Sequence, residues 1–234
     1  MTFDDVLGLG DDALIAAQRL SMWCARAPEL EEDVALANIA LDQLGAARLL
    51  LGYAGELEGR GRDEDALAYL RTDREYRNVL LVELPDRDFA VLIAKLLFLS
   101  AFQHLNYGAL AAGTGQLAEI AAKTVKESAY HLDHATQWTL RLGDGTTLSH
   151  QRMQAAVDEV WPYTYELFED VPELRAPWLS TVDGVLTEAT LTRPADTADS
   201  WKPTGGRSGR HTEALSYLLA ELQVLHRAYP GAIW

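Results

Sequence analysis

Apolar residues recur every three to four positions over most of this chain, and nowhere is the alternation of a strand sustained. Residues 11–26 predict a first helix, with Asp11 and Asp12 at its start, where the positive end of the helix dipole favours acids. Pro28 opens a second over 29–54, whose first turn carries Glu29, Glu31, Glu32 and Asp33. Gly52, Gly55, Gly59 and Gly61 mark its exit, and a shorter helix follows at 62–71. Residues 76–83 fit either a helical turn or an extended piece. A third long helix runs from Asp86 and Asp88 to Ala112, and a fourth from Leu117 to Leu142, closed by Gly143, Asp144 and Gly145. A fifth spans 148–169, with a break expected at Pro162. Residues 170–210, with four prolines, read as loose, and a last helix occupies 211–228. The sum is an all-α four-helix bundle with additional helices towards the C-terminal end, in one domain over 1–234.

Polar residues on apolar stripes are then the informative ones. On the fourth helix Ile120, Thr124, Glu127, His131, His134 and Trp138 share one face. Gln103 shares a stripe with Leu96, Leu99 and Tyr107 on the third, with His104 beside it. Asp42 sits with Ala35, Ile39, Ala46 and Leu49 on the second, and Gln18 with Leu14, Ser21 and Ala25 on the first. Four long helices thus offer one polar layer at mid-length: Gln18, Asp42, Gln103, Glu127, His131 and His134. That is the frame of a ferritin-like di-iron site, in which two helices give a Glu each and two give Glu-x-x-His. The ligand count fails. Asp42 is followed three residues on by Gly45 and Glu127 by Tyr130, and the sequence holds no Glu-x-x-His or Asp-x-x-His. With Gln18 and Gln103 in the other two places, the layer is expected to be a structural hydrogen-bond network, with Glu127 partnered by His131 one turn on. No metal, cofactor or catalytic residue is expected in this chain.

Charge narrows the function classes. The 35 acidic residues outweigh 20 basic ones, a net −15, which argues against nucleic-acid and membrane-surface partners. The single cysteine, Cys24, excludes an internal disulfide and reads as a buried, inert thiol among apolar neighbours. The longest apolar run, Phe89 to Ala101, is interrupted by Lys95 and is too short to cross a bilayer. No charged-then-apolar leader is visible at the start, so a cytoplasmic protein is expected. The run Gly205 to Arg210 (GGRSGR) reads as a flexible loop anchored at a contact between subunits. Its alternative is an anion site built from backbone N–H groups, Arg207, Arg210 and His211.

Several stretches carry a resemblance to a known family. Tyr76 to Glu83 (YRNVLLVE), Val125 to Leu132 (VKESAYHL), Arg141 to Thr146 (RLGDGT), Gly205 to Glu213 (GGRSGRHTE) and the ending from Tyr217 to Gly231 resemble the C subunits of ring-1,2-phenylacetyl-CoA epoxidases, in order along essentially the whole chain. The resemblance implies a ferritin-like fold in a multicomponent monooxygenase of aerobic phenylacetate degradation. It implies a related A subunit that holds the di-iron centre and binds the acyl-CoA, a reductase supplying electrons, and a non-catalytic role for this chain, with a homodimer possible in isolation. Two other readings stay open: an independent ferritin-like metal-dependent oxidase, and a self-associating helical scaffold.

Overall fold

The computed structural model describes residues 1–197 and 199–232, all helix and loop with no strand among them. Its helices are α1 (Phe3–Ser21), α2 (Leu30–Glu58), α3 (Glu64–Tyr69), α4 (Leu80–Glu83), α5 (Phe89–Ala111), α6 (Gln116–Gly143), α7 (Thr147–Val160), α8 (Arg175–Glu188) and α9 (Glu213–Ala228). The chain divides into two compact units. One comprises Met1–Pro85 with Gly205–Trp234, the other Asp86–Thr204.

The first unit is built on the hairpin of α1 and α2, with α3, α4 and α9 added. α1 begins eight residues before the expected start. Thr2 and Asp5 form a capping box in which each backbone N–H donates to the other's side chain, at 2.7 and 3.3 Å. Gly8 and Gly10, which resemble helix breakers in sequence, are close-packing positions instead. A Cβ on Gly8 would lie 2.8 Å from Arg207 Nη1, and one on Gly10 2.8 Å from Leu51 Cδ2. Asp11 and Asp12 therefore sit in mid-helix and are buried, not at a helix start. α1 also ends early, so Cys24 falls in the following turn and is exposed, contrary to the expected buried thiol.

The second unit is built on the hairpin of α5 and α6, with α7 and α8 packed on it. Asp88 caps α5 through a bond from Val91 N at 3.0 Å. Every residue of α5 from Ala90 to Gln103 is buried, and each large aliphatic among them is worth roughly 1.5–3 kcal/mol of burial. Lys95 does not break this core, because Asp86 Oδ1 accepts from its ammonium at 2.8 Å with both side chains nearly inaccessible. By length and composition α5 is apolar enough to cross a membrane, as is α2, which revises the expectation drawn from the shorter run. In α5 83% of the most apolar 18-residue stretch is buried inside the protein, the mark of a core helix. At Pro162 the fifth predicted helix does break, continuing as a 3-10 segment over Trp161–Phe168. The stretch expected to be loose contains α8. Its Trp178 is fully buried against Phe98, Trp161 and Phe168 and donates to the Phe98 carbonyl at 3.0 Å.

Candidate functional site

The six residues expected to form a polar layer are divided between the units. Gln18, in the last turn of α1, and Asp42, in the middle of α2, are half-buried in the first. The buried stripe of α2 runs through Leu36, Ile39, Ala40, Ala46 and Leu50, and its central polar residue is Gln43, not Asp42. The expected neighbour Leu49 is exposed. The second unit holds the other four. Gln103 and His131 are buried, while Glu127 and His134 flank the α6 stripe of Thr124, Ser128, His131 and Ala135. Asp42, Gln103, His131 and His134 each have an interaction partner. Glu127 is paired with Lys123, whose Nζ donates to Oε1 at 2.5 Å, rather than with His131. Side chains on a helix lean towards its N-terminus, so the ammonium one turn back closes on the carboxylate. Its Oε2 is buried without a hydrogen-bond partner.

The donor set is a poor match for a di-iron pair, which needs several anionic ligands to balance its charge. Two positions hold neutral amides, and one of the two carboxylates is already neutralised by a lysine. Among the described residues, no group of three or more His, Cys, Asp or Glu has metal-holding geometry.

The densest buried chemistry lies elsewhere, in the first unit, where the motifs of the resemblance meet. Asp11 and Arg71 form an ion pair in which neither side chain has more than 2% exposure. Asp11 Oδ2 also accepts from Arg77 N at 2.8 Å, and Arg71 stacks over the Tyr76 ring. Asp12 accepts from Val79 N at 2.8 Å and from both Nη atoms of Arg207, at 3.1 and 2.6 Å. Burial pushes the Asp12 carboxyl up to about 6, although Arg207 and Val79 N–H pull the other way. Glu83, fully buried, accepts from Asn78 Nδ2 at 2.9 Å, His211 Nδ1 at 2.8 Å and Thr212 N at 2.5 Å. The second nitrogen of His211 lies 3.0 Å from the Tyr76 carbonyl. Burial alone would lower the His211 pKa, but the Glu83 carboxylate holds it above the ordinary histidine value.

Residues 76–79 are thus extended because their backbone N–H groups bond to Asp11 and Asp12, and only 80–83 make a helical turn. The Gly205–Arg210 run is no open anion loop, since Arg207 and His211 are tied to buried acids. Gly209 is required there twice over. Its φ is +76°, and a Cβ would overlap the Arg74 carbonyl oxygen. Periodicity conceals this network, since Asp11 and Asp12 align at seven-residue spacing with Asp4, Asp5, Gln18 and Arg19 and so read as part of an ordinary polar face of α1.

A different feature faces solvent. α2 exposes Leu30, Val34, Leu41 and Leu44, with the exposed Ala37 between them. Positions 30, 34, 37, 41 and 44 alternate spacings of four and three, a continuous apolar seam along three turns and more of one helix face. Only 44% of the most apolar 18-residue stretch of α2 is buried.

Two long helical hairpins, with no strand among the described residues, have the features of a ferritin-like protein. The chain belongs to the phenylacetic acid catabolic protein family, a ferritin-like family that it matches over residues 2–234. It is 45% identical, over 97% of its own length and 97% of the relative's, to the C subunit of 1,2-phenylacetyl-CoA epoxidase from Escherichia coli (strain K12).

Proposed function

We propose that this chain is a non-catalytic structural subunit of a multicomponent phenylacetyl-CoA 1,2-epoxidase, located in the cytoplasm and acting in aerobic phenylacetate catabolism. Its partner in this reading is a related A subunit that holds the di-iron centre and receives the acyl-CoA, with a reductase completing the complex. The chain itself holds no metal or cofactor, and neither nucleic acid nor membrane is among its partners.

The observation that carries the reading is the α2 seam. Four large aliphatics aligned on one exposed face exceed what a soluble monomer ordinarily shows as scattered apolar residues, and contiguous patches of this kind mark protein contacts. Charges at Glu31, Glu32 and Asp33, and again at Asp42 and Arg48, make α2 a poor membrane span and a good amphipathic docking helix. The relative's description as one subunit among others supports the same conclusion. The polar layer fits a scaffold too, since Lys123 occupies the carboxylate of Glu127 that a metal would need. A rigid scaffold is useful to an oxygenase because small displacements at the reacting centre lose large factors in rate.

The test is co-expression with the larger subunit bearing two Glu-x-x-His motifs, followed by affinity purification and metal analysis of each chain. Co-purification, with iron confined to the partner, is the expected result, and Leu41→Glu with Leu44→Glu removes it while helicity is retained. Stoichiometric iron in the isolated chain, or a catalytic subunit fully soluble and active alone, overturns the proposal.

A further inference from the structure

The segment from Gly205 to Ala228 is fastened to the first unit in an unusual way. α9 buries only Leu215, Leu218, Leu219 and Gln223 of its 16 residues, and it leaves Tyr217, Val224 and Leu225 exposed. That is a thin apolar contact for a helix of this length. His226 also stacks on the Tyr69 ring, with centroids 4.8 Å apart, and the remaining ties are polar. Gln223 Nε2 donates to the carbonyls of Ala68 and Arg71, both at 3.0 Å. Arg227 donates to the carbonyls of Tyr69 and Arg71 at 3.0 and 2.9 Å, and Ser216 donates to Asp73 Oδ2 at 2.8 Å. The strap ahead of the helix, 205–212, is held by the forked Arg207–Asp12 pair, the bond from Arg207 to the Arg77 carbonyl at 2.7 Å, and the His211–Glu83–Thr212 cluster. These anchors lie on α1 and on residues 76–83. They precede the strap by more than 120 positions in the chain.

From this arrangement we propose that residues 205–228 form a latch: the strap and α9 open and close as one cooperative unit against α1 and residues 64–83. The unit opens below the free energy of unfolding the α1/α2 hairpin, and the two ionic anchors set how often. Three observations combine to give this. The latch is continuous in sequence, so it can lift off without unthreading anything. Its apolar contact is small while that of the α1/α2 hairpin is extensive, with nine buried apolar side chains in α1 alone. Its strongest interactions are concentrated in a few charged hydrogen bonds, and Asp12 and Glu83 regain water when these open, which offsets part of the loss. Gly8 and Gly209 permit the close seating, and neither fastens it.

Native-state hydrogen exchange of the full chain, followed by mass spectrometry in increasing sub-denaturing urea, tests the latch. Amides of 213–228 are expected to converge on one opening free energy, lower than that of α1 and α2 and with a shallower urea dependence. Arg207→Ala should accelerate exchange in α9 on the order of 100-fold, although the substituted residue lies outside that helix. Arg207→Lys, which keeps the charge without the fork, should give on the order of 10-fold. The latch is overturned if wild-type α9 exchanges on the same isotherm as α1 and α2. It is equally overturned if Arg207→Ala accelerates the strap alone and leaves α9 unchanged. The wild-type isotherms decide the matter even if the alanine variant fails to fold.

Discussion

Arg207 reaches back across 195 positions of sequence to set its two Nη atoms on the two carboxylate oxygens of Asp12. Asp12 is only 4% exposed at its side chain, so the pair is buried on the acid's side and open to water on the arginine's. Removing the arginine strands a carboxylate in the core of α1. Arg207→Ala should therefore destabilise the chain by about 3 kcal/mol, whereas Asp12→Leu combined with Arg207→Met should recover most of that loss. Urea unfolding midpoints of the three proteins check this. A single variant as stable as wild type would show the pair to be idle.

Acidity provides a second check. Asp12 has a folded pKa near 6 against an ordinary 3.8, and that of His211 lies above its ordinary 6.5. In both cases the folded value exceeds the unfolded one, so their stabilising effect is fully present below the unfolded value. It is lost as pH rises through the folded value. Unfolding midpoints should accordingly rise as pH falls from 8 towards 6 through His211, and again from about 6 towards 4 through Asp12, the second step amounting to about 3 kcal/mol. Asp73 and Glu75 are held below their ordinary values, so their contributions disappear at still lower pH. A midpoint that falls between pH 8 and 6 contradicts this, and His211→Gln should flatten that part of the curve.

Two glycines three residues apart on α2 should respond oppositely to alanine. A Cβ on Gly55 would overlap the Arg62 carbonyl oxygen, at the turn into α3, while one on Gly52 meets nothing within 4 Å. Gly52→Ala is expected to stabilise the chain by about 0.5–1 kcal/mol through helix propensity. Gly55→Ala should destabilise it by about 2 kcal/mol or more, because backbone has to move. Thermal midpoints of the two variants distinguish this from a uniform propensity effect.

On α6, Glu127→Gln breaks only a partly exposed pair with Lys123, so its effect on stability should be about 1 kcal/mol or less. Turnover per assembled oxygenase complex should be unchanged. A collapse of turnover in intact complexes would place Glu127 in the chemistry instead.

How far these features are legible in the sequence varies with the kind of interaction. α2, α5, α6 and α9 can be read to within a few residues because their ends carry glycine, proline or acidic punctuation. The start of α1 is hidden because Gly8 and Gly10 mimic a break, when they answer to Arg207 and Leu51, residues far along the chain. α8 escapes notice because Pro177 gives a loop signal, although it lies in the first turn, where proline is tolerated. Helical spacing marks six polar residues on apolar stripes, but it does not show that Gln18 and Asp42 belong to one unit and the other four to the second. The pairing of Lys123 with Glu127 is easily misassigned to His131, since both lie one turn from Glu127 and the spacing is the same in either direction. Asp11, Asp12 and Glu83 are invisible as a network because the arginines and histidine that bind them sit 60 or more positions away.

The first unit is assembled from both ends of the chain, with residues 86–204 intervening. During synthesis Asp11 can meet Arg71 early, but Asp12 and Glu83 wait for Arg207 and His211, which leave the ribosome more than a hundred residues later. At ordinary elongation rates that interval is roughly ten seconds. Throughout it Asp12 on α1 and Glu83 on α4 lack their ionic partners, while the apolar seam of α2 is already made. The order in which the ribosome delivers the chain thus completes its exposed apolar seam before its interior, and favours early cover of that seam during translation.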